Sequence, residues 1–172
     1  MDAMAQKAVH GYGAFCRQDL VGIDYALLDP VTNDPMPDYF AGNLWGATMG
    51  NGVLFAESTA SETIRAYAHC TPDNKSLAVM LLNLAGNGSS TTITLQGVAG
   101  CNPTTCDRTE YRLSGPGGTD SRRVALNDVE LELAANGTLP DLNGARRSGS
   151  ITIDPATIMF LVFEGAGGVA GC

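Results

Sequence analysis

The spacing of apolar residues along this chain changes once, near residue 50. Before that point apolar positions recur at helical intervals or are cut short by glycine and proline. After it they alternate every second residue or run together in strand-sized blocks. Residues 63–70 set Ile64, Ala66 and Ala68 against Arg65, Tyr67 and His69, which predicts a half-buried strand. Residues 77–84 are almost continuously apolar, as a central strand covered on both faces would be. Residues 91–95 alternate again. Residues 124–126 and 129–133 flank Asn127-Asp128, a pair that tolerates the positive φ angles of a two-residue hairpin turn. Residues 151–153 and 158–163 supply the last strands, with Asp154-Pro155 between them. About eight short strands with turn signals between them predict an antiparallel β-sandwich over residues 51–172.

Residues 1–50 read differently. Residues 1–9 suit a helix, with Met4 and Ala8 four apart and no internal breaker, and His10-Gly11-Tyr12-Gly13 ends it. Residues 13–19 fit a short strand carrying Cys16 and Gln18, and residues 20–28 a second one broken by Gly22. Residues 30–37 form a loop with three prolines. Pro37 suits the first position of a helix, where its missing N–H costs nothing. Phe40, Leu44, Trp45 and Met49 then repeat at helical spacing, and Gly50 offers a left-handed C-terminal cap. Helix, strand, loop, helix is the order found at the end of a TIM-type β/α barrel, and equally that of a small α/β appendage. A complete eight-fold barrel needs roughly 250 residues, so the 172 residues here hold at most its last units. The expected fold is mostly β, a sandwich preceded by the closing units of an incomplete barrel.

Composition narrows the function. A formal net charge of −8 and two lysines, Lys7 and Lys75, exclude a broad nucleic-acid or anionic-membrane surface. The doublets Arg122-Arg123 and Arg146-Arg147 read as solvated surface. The longest apolar runs, 77–82 and 158–163, fall far short of the ~20 residues of a membrane span. Five cysteines leave at least one unpaired within the chain. Asn74, Asn87 and Asn136 open glycosylation sequons, while Pro103 disqualifies Asn102. Cysteines and sequons together favour a secretory route, to the cell exterior or wall, the vacuole or the lysosome, or to a membrane-associated place. Residues 1–15 lack the apolar core of a signal peptide. The chain is therefore expected to be the C-terminal piece of a longer secreted protein or a truncated product; a cytosolic protein with reduced thiols is the alternative.

Several short motifs fall together. They are Cys16-Arg17-Gln18, the loop from Gly22 to Tyr25, Pro37-Asp38-Tyr39, and Met49-Gly50-Asn51-Gly52-Val53-Leu54. Arg65-Ala66-Tyr67-Ala68-His69-Cys70-Thr71, Leu81-Leu82-Asn83-Leu84 and the terminal Cys172 continue the series. In this combination the chain resembles the heparanase-like glycoside hydrolases (family 79), above all their plant members, over nearly its whole length. The resemblance implies the C-terminal portion of an enzyme that cleaves β-glucuronic-acid glycosidic bonds by a retaining mechanism. It would comprise the last barrel units and the accessory sandwich that braces them, with the remainder of the catalytic barrel as partner. The substrate implied is a glucuronic-acid-containing glycan or glucuronide, and the low count of basic residues fits a weakly charged one better than heparan sulfate. A retaining glycosidase needs two carboxyl groups about 5–5.5 Å apart. The family carries both as glutamates on barrel strands that precede the matched segment, so no catalytic residue is expected here and the chain alone should be inactive.

The resemblance also implies roles for individual residues. The family's matching Gln and Tyr line the substrate cleft, which assigns substrate binding to Gln18 and Tyr25; their amide and phenol can hydrogen-bond sugar hydroxyls or a uronate carboxylate. Read from the residues alone, Gln18 could instead satisfy a buried barrel position and Tyr25 be half core. One departure stands out: where the family has Gly-Asn before this tyrosine, the chain has Ile23-Asp24, which adds bulk and a negative charge. The family's C-terminal domain has a disulfide matching Cys70 and Cys172, and Cys101 and Cys106 enclose four residues as a local staple. Cys16 is expected to be a buried free thiol. His69, His10 and Cys70 do not make the four convergent ligands of a zinc site, and no cofactor is expected. A different class of function stays open, a non-catalytic sandwich acting as a carbohydrate-binding or interaction module, or an inactive relic. It would need aromatics exposed on a sheet face, and most of Phe55, Tyr67, Tyr111, Phe160 and Phe163 should be core.

Overall fold

Every residue of Leu77–Asn83 is buried, so both sides of that strand must be covered, and the fold is the arrangement that covers them. The computed structural model describes residues 1–102, 104–165 and 172. In chain order its elements are α1 (Asp2–Val9), α2 (Pro37–Thr48), β1 (Val53–Leu54), β2 (Ile64–Cys70), β3 (Leu77–Asn83) and β4 (Thr91–Ile93). There follow β5 (Arg108–Ser114), β6 (Ala125–Leu126), β7 (Val129–Glu130), β8 (Ala145–Arg147), β9 (Ile151–Ile153) and β10 (Thr157–Phe163). An eight-stranded antiparallel sheet runs β1-β2-β3-β10-β5-β6-β7, with β8 also paired to β5, and β4 and β9 make a separate pair.

Side chains on a strand alternate between faces, and β3 uses both. Ala78, Met80 and Leu82 pack with Tyr67 and Phe160 against Ala5 of α1 and Phe40, Ala41 and Leu44 of α2. Leu77, Val79 and Leu81 pack with Met159, Leu161 and Phe163 against Ile151 and Ile153 of β9, with Ile93 of β4 at the margin. Cross-strand register fixes the alternation, pairing Met80 with Phe160 and Val79 with Leu161. A slip of one residue would send each set to the wrong face. Phe160 has no exposed surface, and truncating such a side chain to alanine costs about 3–5 kcal/mol.

The mostly-β expectation stands, but the strands divide eight to two among the described residues, and the helices cover the second face of the large sheet. β2, β3, β4, β9, β10 and both helices lie where the hydrophobic pattern puts them. The hairpin of β6 and β7 does too, with Asn127 and Asp128 at φ 49° and 71°. Residues 13–28 form no strand. A parallel barrel strand needs neighbours to take up its N–H and C=O groups, and among the described residues this segment makes only an isolated antiparallel bridge, Leu28 to Pro35. The half-buried reading of β2 is corrected as well, because the helices bury Tyr67 and His69 on its second face. The glycine-rich segment 166–171 lies outside the described residues.

The join between α2 and the sheet is tight. Gly50 is not the left-handed cap the spacing predicts; Met49 ends the helix in an extended conformation at φ −98°. Gly50 is required for a different reason: its N–H donates to the Cys70 carbonyl at 2.7 Å, and a Cβ there would lie 2.6 Å from the Thr71 oxygen and 2.7 Å from that of Cys70. Cys70 and Cys172 are disulfide-bonded, as are Cys101 and Cys106.

Candidate functional site

The segment between the two helices, residues 10–36, carries both candidate substrate contacts without the support of a strand ladder. Three backbone bonds fold it back on itself: Leu27 N–H to Asp19 O at 3.3 Å, Leu28 N–H to Leu20 O at 2.8 Å, and Met36 N–H to Leu27 O at 2.9 Å. Ala26 is buried and anchors the fold-back. Its neighbour Tyr25 is 59 % exposed. The Tyr25 hydroxyl lies 3.4 Å from Gln18 Oε1, and Gln18 is exposed too. That distance is long for O–H···O, so phenol and amide are only loosely engaged with each other.

Charged side chains brace this loop from both sides. Arg17 Nη2 donates to the Tyr25 carbonyl at 2.5 Å and pairs with Asp38, in the first turn of α2, at 2.9 Å. On the other side Asp29 Oδ1 accepts the Val31 and Thr32 amides at 2.8 and 3.0 Å, closing a turn. Asp29 Oδ2 accepts Arg122 Nη1 at 2.7 Å. The Thr32 and Val31 amides, with Arg122 behind them, hold the Asp29 carboxyl below the usual carboxylate range. A carboxylate so fixed in its ionised form organises the loop and is a poor proton donor. Arg122 Nη2 also reaches Asp24 at 3.5 Å. A cleft of about 360 Å³ opens beside Asp29, with Phe40, Arg122, Arg123 and Glu130 in its walls.

A larger cavity, about 800 Å³, lies elsewhere, over the β2–β3 face between the segments that follow β1 and β4. Its floor is apolar, including Ile64, Val79 and Leu81, and neither Gln18 nor Tyr25 lines it. Phe55 stands 91 % exposed at its rim, the exception among the aromatics expected in the core. His69 is buried between Gly50, whose carbonyl lies 2.6 Å from Nδ1, and Trp45, whose ring meets it edge-on at 5.1 Å. Its Nε2 has no partner among the described residues. Cys16 is free and exposed; the buried thiol expected of it depended on a barrel strand that does not form. Asn74, Asn87 and Asn136 are all exposed.

Arg17 and Arg122 are the residues whose part the sequence did not reveal. Arg122 read as half of a solvated doublet, yet it spans 93 positions to reach Asp29. No local pattern announces a partner that far away.

No protein-family model matches the chain. It is 30 % identical over 191 residues to Heparanase-like protein 2 of Arabidopsis thaliana, covering 94 % of this chain and 35 % of that one. It is 33 % identical to a baicalin-β-D-glucuronidase of Scutellaria baicalensis, covering 100 % of this chain and 32 % of the other. A hyaluronoglucuronidase of Hirudo nipponia is 29 % identical, over 96 % of this chain and 35 % of its own. The chain thus spans about a third of the length of the curated relatives it matches. Among solved structures, an arabinose-bound α-L-arabinofuranosidase aligns at a TM-score of 0.49 and 14 % identity, covering 81 % of this chain and 21 % of that one. That superposition is too loose to say more.

Proposed function

We propose, for a chain whose relatives are heparanase-like proteins and glucuronidases, that it is the C-terminal portion of a glycoside hydrolase acting on β-glucuronides. Residues 1–50 are the closing units of the catalytic barrel and residues 51–172 the accessory β domain that braces it. The two catalytic glutamates belong to the part of the enzyme that precedes this segment, and the chain contributes substrate contacts and support. The observation that carries this reading is the Tyr25–Gln18 pair, a phenol and an amide 3.4 Å apart and both open to solvent. These are the groups a site uses to hold sugar hydroxyls or a uronate carboxylate. Gly50 supports the architecture, because it lets the last helix of the first unit butt directly against the C-terminal end of β2 in the second.

Two disulfides and three exposed sequon asparagines support a secretory route. Among the described residues no helix is long and apolar enough to cross a membrane.

Titration of ¹⁵N-labelled chain with methyl β-D-glucuronide tests the reading. Saturable shifts of the Gln18 side-chain amide and of the Tyr25 backbone amide are expected, larger than with methyl β-D-galactoside. Shifts confined to other surfaces, or none at millimolar ligand, contradict it.

A further inference from the structure

Asparagine is followed by glycine four times in this chain, at Asn51, Asn87, Asn136 and Asn143. Such a pair can react without a catalyst: the glycine backbone nitrogen attacks the asparagine side-chain carbonyl carbon and expels ammonia. Glycine lacks the Cβ whose bulk hinders this ring closure elsewhere. Closure also needs a glycine N–H free of an acceptor and a backbone free to turn. A pair tied down on either count reacts only from a locally opened state.

Three of the four pairs are tied down. Asn51-Gly52 lies between two backbone bonds of 2.7 Å, Gly50 N–H to Cys70 O and Cys70 N–H to Gly52 O. At Asn136-Gly137 the Gly137 N–H donates to the Ala134 carbonyl at 2.8 Å, and Asn136 Oδ1 accepts the Thr138 amide at 3.0 Å. Asn143-Gly144 packs against β5: a Cβ on Gly144 would lie 2.7 Å from the Tyr111 ring, and the Asn143 carbonyl accepts Asn127 Nδ2 at 3.4 Å. Asn87-Gly88 differs. Both residues are exposed, and a Cβ on Gly88 would meet nothing within 4 Å. Among the described residues neither the Gly88 N–H nor the Asn87 side chain has a partner.

We infer that Asn87 is a site of spontaneous deamidation, through a succinimide formed with Gly88. The bond from Gly88 N to Asn87 Cγ forms as the Cγ–Nδ2 bond breaks, and the Gly88 amide proton leaves with Nδ2 as ammonia. Water then opens the ring at Cγ to give aspartate, or at the Asn87 backbone carbonyl to give isoaspartate. The same side chain opens the Asn87-Gly88-Ser89 sequon, so a glycan on Nδ2 and the loss of Nδ2 exclude one another. A glycan keeps that nitrogen in place, whereas a bare Asn87 loses its acceptor amide for good. Isoaspartate also lengthens the β3–β4 connection between two ties to the β9–β10 connection. These are the Ala156 N–H on the Ala85 carbonyl at 2.8 Å and the Ser90 hydroxyl on Asp154.

The test incubates the folded, unglycosylated full chain at mildly alkaline pH and follows each Asn-Gly peptide by mass spectrometry. Asn87 should convert roughly fivefold or more faster than the other three, the factor set by first breaking one hydrogen bond of about 1 kcal/mol. In denaturant with the disulfides reduced, the four rates should converge. Conversion of any other pair as fast as Asn87 in the folded chain, or a ranking that unfolding leaves unchanged, overturns the inference. In protein from a glycosylating host Asn87 should stay unconverted, while Ser89→Ala, which removes the sequon and keeps Asn-Gly, should let it convert. Equal conversion in those two proteins overturns the competition between glycan and deamidation.

Discussion

At the scale of the residue, β2 shows how far an alternation pattern reaches. Arg65, Tyr67 and His69 read as the solvent side of a half-buried strand, yet Tyr67 and His69 are buried beneath the helices. Their polar tips find partners there: the Tyr67 hydroxyl donates to Asp2 at 2.6 Å, and His69 Nδ1 lies 2.6 Å from the Gly50 carbonyl. Burial first, then the Asp2 hydrogen bond and charge, push the Tyr67 pKa up to about 12. Burial pulls the His69 pKa below its ordinary value, and the Gly50 carbonyl opposes it only in part. The unfolded imidazole takes up a proton near pH 6.5, while the folded one resists. The stability tied to His69 is therefore fully present above pH 6.5 and drains away as pH falls from there toward the depressed folded value. Chemical unfolding between pH 7 and pH 5 should show a falling free energy, and His69→Gln should flatten that slope even if it lowers the plateau. Asp29 and Asp73, whose carboxyls are also held low, lose their contribution only in more acid solution. An undiminished slope in His69→Gln would assign the pH dependence to another group.

At the scale of the element, legibility followed chemistry. β3 and β10 are apolar runs, and the β6–β7 turn is Asn-Asp at positive φ, so each announces itself. β5 does not, although it is paired to β10 in the middle of the sheet. Its sequence, Arg-Thr-Glu-Tyr-Arg-Leu-Ser, puts charges where an inward strand should have hydrocarbon. The charges are tolerated because they satisfy one another: Arg108 Nε and Nη2 donate to Glu110 Oε2 at 3.0 and 2.8 Å, and Nη1 donates to the Cys106 and Gly149 carbonyls. A buried pair of this kind contributes little net stability but is costly to halve. Glu110→Ala should lose about 3 kcal/mol or more in a denaturant titration. A loss below about 1 kcal/mol would mean that the carbonyls alone satisfy the guanidinium. Residues 13–28 present the opposite case, a strand-compatible sequence with no strand beside it to pair with among the described residues. Gln18 and Tyr25 could be named from the sequence through a family likeness; Arg17 and Arg122 could not, because Arg17 meets Tyr25 and Asp38 only once the loop folds back, and Arg122 meets Asp29 only when segments 93 positions apart come together.

At the scale of the whole molecule, the helices and the sheet share one core, and the Cys70–Cys172 disulfide closes a span of 102 residues across it. A native bridge of this kind is typically worth about 2–4 kcal/mol. Cys172→Ser should lower the unfolding free energy by that amount and leave sugar binding untouched, since the bridge lies at the end of β2 and the candidate site on the loop before α2. On the reading proposed above, activity belongs to a larger unit. A chain that spans a third of its relatives' length and whose best-placed carboxylate, Asp29, is pinned in its ionised form should not turn over an aryl β-glucuronide. Turnover abolished by replacing Asp19 or Asp24 would show that a catalytic pair lies within these residues. The central claim, that the exposed loop before α2 holds a glucuronide, is tested most directly by one comparison: the dissociation constant of methyl β-D-glucuronide for the wild-type chain and for Tyr25→Phe, measured together with thermal stability. Loss of one hydrogen bond to the sugar predicts a Kd raised roughly fivefold or more, about 1 kcal/mol, with the midpoint of unfolding unchanged because the phenol is exposed. An unchanged Kd with a lowered midpoint would make Tyr25 a structural residue and contradict the account.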